Sequence, residues 1–374
     1  MKVGNVTINY PIHGGVNNSV GHWAAALRLQ GATVDVLSVL VTPSEEIDPT
    51  ENVFLFEAGS KNPFKAPEGF SQHLDASKYD LVFVNGMFNP RTAGVALLLS
   101  KKSVPFVMVP HDPYHPDVLN HGRFKKWVYA TLIEKKLHRA CRAVQVLSES
   151  HIKHVHRFSN KQEVIVVGNC IDLKQVPNFS PKVTIEEKSE KTFYYLGRLD
   201  MNHKGLDILL RSFAKCQSKW DGHCRLTLQG PDSDDMNTLR NLIQSLGISD
   251  SVTILGPDFS KTSYELIGQH DITVLSSRFD GFSYFALEAM LAGVPSVVSE
   301  EAGISGHVKE SGAGLVCRPT VEDFSNSMLE ILSLSSEERN EMGLRGREYA
   351  IENLNLEAVG KNALSTYKEL IKRL

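Results

Sequence analysis

Short apolar runs alternate with helical patterns along the chain, and the series occurs twice. The first series predicts strands at residues 3–9, 34–40, 81–85, 106–109, 143–147 and 164–167, and the second at 193–196, 225–229, 252–255, 272–275, 296–299 and 314–317. Helical periodicity lies between them, at residues 16–30, 91–100, 125–138, 149–156, 206–219, 236–246, 262–268, 285–292 and 321–332. This alternation favours the α/β class, in which helices cover parallel sheets.

Because the series restarts, the pattern predicts two doubly wound, Rossmann-like domains rather than one. Residues 177–181 (PNFSP) and the charged residues 186–191 interrupt the periodicity, which is typical of an interdomain linker. We therefore expect a first domain over residues 1–178 and a second over residues 179–352. Two such domains that face each other form a cleft along the carboxyl ends of both sheets, where ligands bind in this class.

The chain after residue 335 reads as helical to its end. Its last part carries an apolar stripe at spacings of three and four, formed by Leu356, Val359, Ala363, Tyr367 and Leu370. A helix with one apolar face must bury it, so we expect the segment 353–374 to cross back and pack on the first domain.

Composition narrows the class of function. The net charge is −3, which argues against a nucleic-acid partner, and the chain has no run of eighteen apolar residues. The five cysteines are scattered without a CxxC pair, so we expect no metal cluster and no disulfide framework. The first residues read as a strand rather than as a signal peptide, and a reducing, cytoplasmic location fits these features.

An acidic pair lies where a predicted strand of the second domain meets a helix. Asp280 stands in the loop after strand 272–275, and Glu288 lies on the second turn of the following helix. The N-terminus of that helix offers unpaired N–H groups to an anion. Carboxylates can accept hydrogen bonds from sugar hydroxyls, and backbone N–H groups can donate to phosphate. A site with both kinds of group suits a sugar nucleotide. The competing interpretations are a helix-capping aspartate and a solvated glutamate.

Two further loops carry candidate binding groups. Gly14 and Gly15 follow the first strand and open a helix, where glycines allow close approach of a ligand and a positive φ. The pattern is neither GxGxxG nor a phosphate-binding GxxxxGK[ST] loop, so NAD and ATP are poorly supported. Arg198 and Lys204 follow the first strand of the second domain, and two cations at a sheet edge suit a diphosphate. A solvated basic loop is the alternative.

Two features of the first domain remain open to more than one interpretation. His111 stands just past a predicted strand end, where it could hydrogen-bond a sugar, shuttle a proton or serve the structure alone. The basic tract from Arg123 to Arg157 interleaves cations with apolar residues. It predicts either a helix that contacts anionic membrane at its surface, a site for an anionic acceptor, or a solvated face.

Taken together, these motifs resemble the retaining GT-B-fold glycosyltransferases of family 4, the glycosyl transferases group 1. The resemblance runs over nearly the whole chain. It rests on a glycine-rich opening (GGVNNSVGHW), on VVGNCID, on LGRLDMNHKGLD and on DGFSYFALEAMLAGVPSVV, in this order. It implies two Rossmann-like domains and transfer of a hexose-type sugar from a nucleoside diphosphate sugar, with UDP favoured over GDP.

The resemblance also implies roles for individual residues. It puts His111 and Asp280 beside the donor sugar, Arg198 and Lys204 on the diphosphate as catalytic cations, and Glu288 on the ribose. The remaining donor-binding groups are Gly14, Gly15, Gly256, Pro257, Asp258, Phe259, Gly281, Phe282, Ser283, Tyr284 and Phe285. Among them, the resemblance implies that the loop Gly256–Phe259 holds the base. It implies no cofactor and no metal, and an acceptor hydroxyl of a glycan, a lipid or a small molecule.

Three positions depart from the family pattern. Asp280 stands where Glu is usual, Cys170 replaces a glycine, and Ser305-Gly306 replaces a frequent Pro-Glu. A nucleotide-sugar epimerase, or a sugar-nucleotide-binding protein that has lost transfer activity, remains an alternative function.

Overall fold

Two parallel β-sheets form the framework of the protein. The structure is a computed structural model that describes residues 1–10, 14–41, 52–59, 62–111, 114–116, 119, 123–159, 163–176 and 190–373. The strands of the first sheet are β1 (Lys2–Ile8), β2 (Thr33–Leu40), β3 (Val53–Glu57), β4 (Leu81–Asn85), β5 (Phe106–Val109), β6 (Ala143–Val146) and β7 (Val164–Val166). Those of the second are β8 (Glu190–Leu196), β9 (His223–Gln229), β10 (Val252–Leu255), β11 (Ile272–Leu275), β12 (Ser296–Ser299) and β13 (Gly314–Cys317).

Helices connect these strands. Those that precede β8 are α1 (Gly15–Leu29), α2 (Phe70–Ser77), α3 (Pro90–Lys101), α4 (Arg123–Tyr129), α5 (Lys135–Ala140) and α6 (Ile152–Phe158). Those that follow β8 are α7 (Leu206–Lys219), α8 (Met236–Ser245), α9 (Ser263–Ile267), α10 (Tyr284–Ala292), α11 (Ser305–Ser311), α12 (Val321–Ser333), α13 (Ser336–Asn353) and α14 (Leu356–Lys372). Between α4 and α5 the chain forms a π-helical turn, Ala130–Glu134, and 3₁₀ turns occur at Glu149–His151 and Leu173–Gln175.

Both sheets have the order expected of doubly wound folds. The first runs β3-β2-β1-β4-β5-β6-β7 and the second β10-β9-β8-β11-β12-β13, and every strand pair is parallel. The strand order reverses between β1 and β4 in one sheet and between β8 and β11 in the other. At such a point the loops at the carboxyl ends of two adjacent strands leave in opposite directions and open a crevice. The predicted α/β class with two doubly wound sheets is confirmed.

The chain divides into two compact units, one of residues 1–172 with 354–374 and one of residues 173–353. In the first unit, α14 packs along α1 so closely that a Cβ on Gly360 would lie 2.5 Å from the carbonyl oxygen of Ala26. All five residues of the predicted apolar stripe on this helix are buried. The Tyr367 hydroxyl reaches into the first sheet and donates to Gln145 Oε1 at 2.6 Å.

The predicted elements differ from the observed ones in several places. The sequence pattern missed β3, α2 and α11, which are short or carry mixed polar and apolar residues. The single helix expected at 125–138 is interrupted by the π-helical turn. Glu190 and Lys191 belong to β8 rather than to a linker. Residues 177–189, where the rest of the predicted linker lies, are outside the described residues.

Candidate functional site

The crevice of the second unit lies between the loops that follow β8 and β11. The loop after β8, residues 197–205, carries Arg198 and Lys204 and leads into α7. The loop after β11, residues 276–283, carries Asp280 and leads into α10. Because β8 and β11 are neighbours in the sheet, the two loops start from adjacent strand ends and flank the same crevice. The candidate residues on both loops therefore belong to one crevice.

Gly205 allows the two loops to touch through their backbones. Its φ is +64°, in the left-handed region that favours glycine, and a Cβ there would lie 2.2 Å from the Ser276 carbonyl oxygen. The Ser276 hydroxyl is within hydrogen-bonding distance of the carbonyl oxygens of Lys204 and Gly205, at 3.0 and 2.9 Å. Only glycine fits this contact, which holds the backbone of Lys204 against the end of β11.

Lys204 and Asp280 form an ion pair across the crevice. Lys204 Nζ donates to Asp280 Oδ2 at 2.6 Å, and the two side chains are 18% and 9% exposed. The backbone of Asp280 is fixed as well, because its N–H donates to Glu301 O and its carbonyl oxygen accepts from the N–H of Gly303. An ammonium group has three donors, so Lys204 can hold Asp280 and still reach an anion in the crevice.

Arg198 is held by a histidine that the sequence analysis did not single out. Arg198 Nη2 donates to His203 Nδ1 at 3.0 Å, and the His203 ring stacks on Phe279 with centroids 4.4 Å apart. Guanidinium can only donate, so Nδ1 is the unprotonated nitrogen of His203 and Nε2 carries the proton. Burial, assisted by the charge of Lys204, lowers the pKa of His203 to about 4. A neutral imidazole therefore orients the Arg198 guanidinium at neutral pH.

A second arginine supports the loop that presents these cations. Arg278 makes a bidentate pair with Asp207 on α7, with both N–O distances 2.7 Å. Its guanidinium also donates to the carbonyl oxygens of Met201 and Asn202, and its N–H donates to His203 O. The Asp200 carboxylate accepts from the N–H groups of Asn202 and His203 and closes the turn. These contacts fix the loop before any ligand binds.

The N-terminus of α10 continues the crevice. Ser283 is the N-cap, and its hydroxyl accepts from the N–H of Ala286 at 3.4 Å. The N–H groups of Tyr284 and Phe285 are among those that a helix start leaves without intrahelical partners. Gly281, Phe282 and Phe285 are buried, so the start of α10 is anchored in the core.

Glu288 lies further along α10, in different surroundings from Asp280. It is hydrogen-bonded to the side chain of Ser263, the first residue of α9, and its charge acts on Tyr194 and Tyr264. Burial raises the pKa of Glu288 to about 7, despite the opposing effect of the Ser263 hydroxyl. The two acids of the pair thus have separate partners in the crevice.

The loop expected to hold the base, Gly256–Phe259, follows β10. Gly256 and Pro257 are exposed, and Phe259 is 93% exposed. The Asp258 carboxylate accepts from the N–H and hydroxyl of Ser260. The Gly256 carbonyl oxygen accepts from Gln229 Nε2 at 3.1 Å, and Tyr194 donates to Gln229 Oε1 at 2.7 Å.

Tyr194 connects this loop with Glu288. Burial, with the negative charges of Asp258 and Glu288, raises its pKa. The carboxylate expected to bind ribose and the loop expected to hold the base therefore lie around one tyrosine.

In the first unit, His111 joins a buried polar network at the end of β4. The Asn85 amide donates to Asn5 Oδ1 and Val6 O, at 2.6 and 2.8 Å. Its own oxygen therefore accepts from His111 Nε2, 2.7 Å away. His111 has a φ of 59° and stacks on Trp23, and burial lowers its pKa to about 3. The ring is neutral and its Nδ1 is an acceptor, which favours hydrogen bonding over proton shuttling.

Gly14 and Gly15 begin α1. The expectation of positive φ is wrong: Gly14, the N-cap, is extended with φ 168°, and Gly15 is the first residue of the helix. A Cβ on either glycine would meet no atom of the residues that the structure describes within 4 Å. Both are exposed, so protein packing does not explain them and a ligand can approach their backbone closely. Residues 11–13 of the same loop are outside the described residues.

Solved structures with the same architecture define the fold class as GT-B. The sucrose-phosphate synthase of Thermosynechococcus elongatus matches with a TM-score of 0.79 and 19% identity, over 100% of both chains. Anabaena HepE, in complex with UDP and glucose, matches with a TM-score of 0.73 and 17% identity, over 99% of this chain and 100% of that one.

Sequence comparison identifies the family. Residues 13–175 match the family described as "Glycosyltransferase Family 4", and residues 177–349 match the family described as "Glycosyl transferases group 1". The chain belongs to this family of glycosyltransferases.

A similar curated protein is the N-acetyl-alpha-D-glucosaminyl L-malate synthase of Bacillus anthracis. It is 25% identical over 236 residues, which are 61% of this chain and 60% of that protein. The chain spans between 32% and 60% of the length of three curated relatives that it matches.

Replacing Glu288 by Gln tests its buried state. The folded pKa of about 7 lies above the ordinary 4.5, so the folded state binds more protons than the unfolded state between these pH values. The carboxyl therefore lowers stability as pH rises from 4.5 through 7, by up to about 3 kcal/mol. We expect the unfolding free energy of the wild type, relative to Glu288→Gln, to fall over this range in urea titrations. The pKa of Glu134 is also raised to about 7, but Glu134 is present in both proteins, so its contribution to the pH dependence cancels in the comparison. If the difference in unfolding free energy between the two proteins stays constant over this pH range, the raised pKa of Glu288 is contradicted.

Proposed function

We propose that the protein transfers a hexose-type sugar from a nucleoside diphosphate sugar to an acceptor hydroxyl, with retention of the anomeric configuration. A UDP-sugar is the favoured donor and a GDP-sugar the next. The observation that carries the proposal is the Lys204–Asp280 ion pair in the same crevice as the oriented Arg198 guanidinium. It brings a carboxylate for sugar hydroxyls next to cations for a diphosphate.

Charge is the reason why this site suits glycosyl transfer. When the anomeric C–O bond breaks, negative charge accumulates on the leaving diphosphate. Arg198, Lys204 and the N–H groups at the start of α10 are donors that the fold has already oriented, so they stabilise that charge without reorganisation. In the proposal these groups do the work of a divalent metal, and the reaction needs no cofactor.

The donor occupies the crevice in a defined direction. Glu288 accepts hydrogen bonds from the ribose hydroxyls, which offsets the cost of burying its carboxylate. The loop Gly256–Phe259, tied to Tyr194 through Gln229, contacts the base. Asp280 accepts from the sugar hydroxyls at the opposite end, with the diphosphate between the two acids.

Retention follows if the acceptor attacks on the face that the diphosphate leaves. The bond from the anomeric carbon to the phosphate oxygen breaks, and a bond to the acceptor oxygen forms. The proton of the acceptor hydroxyl passes to the departing phosphate oxygen. Asp280 is not assigned as a nucleophile: its Oδ2 accepts from Lys204, and its other carboxylate oxygen accepts from the sugar hydroxyls in this proposal. His111, neutral and with Nδ1 as acceptor, contributes a hydrogen bond to the donor sugar.

The acceptor side belongs to the first unit in this proposal. The acceptor is a glycan, a lipid or a small molecule with a free hydroxyl. Among the described residues no helix is both long and apolar enough to cross a bilayer. We propose a cytoplasmic enzyme that meets an anionic membrane peripherally through residues of the tract from Arg123 to Arg157.

Replacing the two cations tests the proposed reaction. Arg198→Ala and Lys204→Ala should each lower the turnover of the cognate donor roughly a hundredfold or more, because each removes a donor to the leaving group. Arg198→Ala is the cleaner variant, since its side chain is 59% exposed and its loss leaves no buried charge unpaired. Donor consumption is measured over a panel of UDP-, GDP- and ADP-sugars, with and without acceptors, in the presence of a chelator.

Arg225→Ala is the matched control, because Arg225 is 53% exposed and pairs with Glu190 on the same unit. It should leave turnover unchanged. Normal turnover in Arg198→Ala contradicts the assignment. Conversion of the donor without any acceptor indicates an epimerase, and nuclear magnetic resonance of the product decides between retention and inversion.

Two substitutions of Asp280 separate its charge from its length. Asp280→Glu keeps the carboxylate and introduces the residue that is usual at this position in the family. The flexible side chain of Lys204 can move to accommodate the additional methylene. We expect turnover equal to or above that of the wild type. Asp280→Asn keeps the shape but removes the charge, and should lower turnover roughly tenfold to a hundredfold. Steady-state kinetics with the cognate donor measure both, and full activity in Asp280→Asn would show that the carboxylate is not used.

A further inference from the structure

A carboxyl group lies buried in the first unit without a cation to balance its charge. Glu134, the last residue of the π-helical turn, is 1% exposed, and none of the described cations acts on its pKa. Single π-helical turns within α-helices frequently occur at functional sites. A carboxylate that loses its hydration and gains no counter-ion is costly, so a proton is the simplest means of neutralising it.

Glu134 is hydrogen-bonded to two loops of the first unit. The N–H of Phe88, in the loop after β4, donates to Glu134 Oε1 at 2.7 Å. The Tyr114 hydroxyl, in the loop after β5, lies 3.3 Å from Glu134 Oε2 and 2.9 Å from His138 Nε2. A protonated Glu134 completes this chain, because its O–H can donate to Tyr114 while Tyr114 donates to His138. Glu134 therefore connects the π-helical turn with both loops.

The other groups around Glu134 carry no charge that could compensate its own at neutral pH. Tyr129 on α4 and Cys141 after α5 both sense the carboxylate, and burial raises the pKa of each. Burial also raises the pKa of Tyr114 and lowers that of His138 to about 4. From β4, β5 and α3 the carboxyl group faces a void that holds no other titratable group and leaves no space for a water molecule. Burial accordingly raises the pKa of Glu134 to about 7, although its two hydrogen bonds act in the opposite direction.

Phe88 is held in a backbone conformation that is unusual for a bulky residue. Its φ is +55°, in the left-handed region. Its ring packs against the rings of Tyr114 and Tyr129, with centroids 5.9 and 5.8 Å away. Such a conformation persists only where the surrounding structure fixes it. The hydrogen bond to Glu134 is one of these constraints, so its loss would let the loop relax.

The loop of Phe88, residues 86–89, borders the crevice of the first unit. It follows β4, where the strand order reverses between β1 and β4. Asn85, the last residue of β4, accepts from His111. A rearrangement of this loop therefore reaches the polar network at the carboxyl edge of the first sheet.

We propose that Glu134 is a proton-dependent latch, which in its protonated state holds the loop 86–89, Tyr114 and the π-helical turn together. Loss of the proton leaves a buried charge, so the carboxylate turns towards water and releases the loop. The direction follows from linkage. A carboxyl group that binds its proton more tightly in the closed arrangement than in water favours the closed arrangement at low pH, and favours it less as the pH rises through neutrality. The latch is independent of the proposed glycosyl transfer.

Amide hydrogen exchange of the full chain, followed by mass spectrometry, tests the latch at the loop itself. The measured quantity is the protection factor of the peptide that contains Phe88, which corrects for the pH dependence of intrinsic exchange. In the wild type it should fall about tenfold between pH 6 and pH 8, as expected for a carboxyl group with a pKa of about 7 when closed and the ordinary 4.5 when open.

A matched pair of variants identifies the group that titrates. Glu134→Gln keeps the shape and an acceptor for the N–H of Phe88 but has no charge to gain, so its protection factor should not depend on pH over this range. Glu149→Gln removes an exposed carboxylate from the same unit and should retain the tenfold fall. Circular dichroism confirms that each variant is folded.

Tyr114→Phe keeps the test decisive if Glu134→Gln does not fold. It removes a hydroxyl that lowers the pKa of Glu134, so the fall in protection should move to higher pH. Three results would overturn the proposal: wild-type protection that stays constant or rises between pH 6 and pH 8, an equal fall in Glu134→Gln, or an unchanged midpoint in Tyr114→Phe. No substrate takes part in these measurements, so their failure is distinct from a failure of the proposed function.

Discussion

The backbone contact between Gly205 and Ser276 is the constraint on which the candidate site depends. A side chain at residue 205 would collide with the carbonyl oxygen of Ser276, and the missing Cβ lets the loop after β8 lie directly on the end of β11. This contact fixes the position from which Lys204 reaches Asp280, and the same loop presents Arg198. The strand order makes the contact possible, because the direction of the connections changes between β8 and β11.

Neutral groups do much of the positioning in this protein. His203 accepts from Arg198 and stacks on Phe279, and its low pKa ensures that it does not repel the neighbouring cations. His111 in the first unit is neutral for a similar reason, and the Asn85 amide fixes its tautomer. In both cases burial removes the charge and a hydrogen bond selects the nitrogen that carries the proton. The charges that remain, on Arg198, Lys204 and Asp280, are those suited to act on a substrate.

Much of the fold could be predicted from the sequence, because buried parallel strands read as short apolar runs between helical patterns. Arg198, Lys204, Asp280 and Glu288 could be selected because they follow strands or open a helix at a sheet edge. The elements that were missed have physical reasons. The helix α11, Ser305–Ser311, is short and mostly polar and has no apolar periodicity, and the π-helical turn at Ala130–Glu134 depends on packing that periodicity does not record.

The hydrogen-bond and packing partners of the site residues could not be predicted from the sequence. His203, Ser276 and Arg278 stand inside or next to the motifs that were recognised, but their roles depend on which residues lie across the crevice. The steric requirement for glycine at residue 205 likewise depends on a contact between two loops that are distant in sequence, so the sequence alone does not predict it. Spacing along the chain could show that Asp280 and Glu288 differ in position, and the structure shows the different partners that each one has.

Isothermal titration of the 374-residue chain with UDP, GDP, ADP and the corresponding monophosphates, in the presence of EDTA, tests the central claim most directly. If the crevice binds a diphosphate through Arg198, Lys204 and the start of α10, one nucleoside diphosphate should bind without metal. The corresponding nucleoside monophosphate should bind at least about tenfold more weakly, because it loses charge-assisted hydrogen bonds. Binding of no nucleotide, or equal binding of the monophosphate and the diphosphate, would contradict the account.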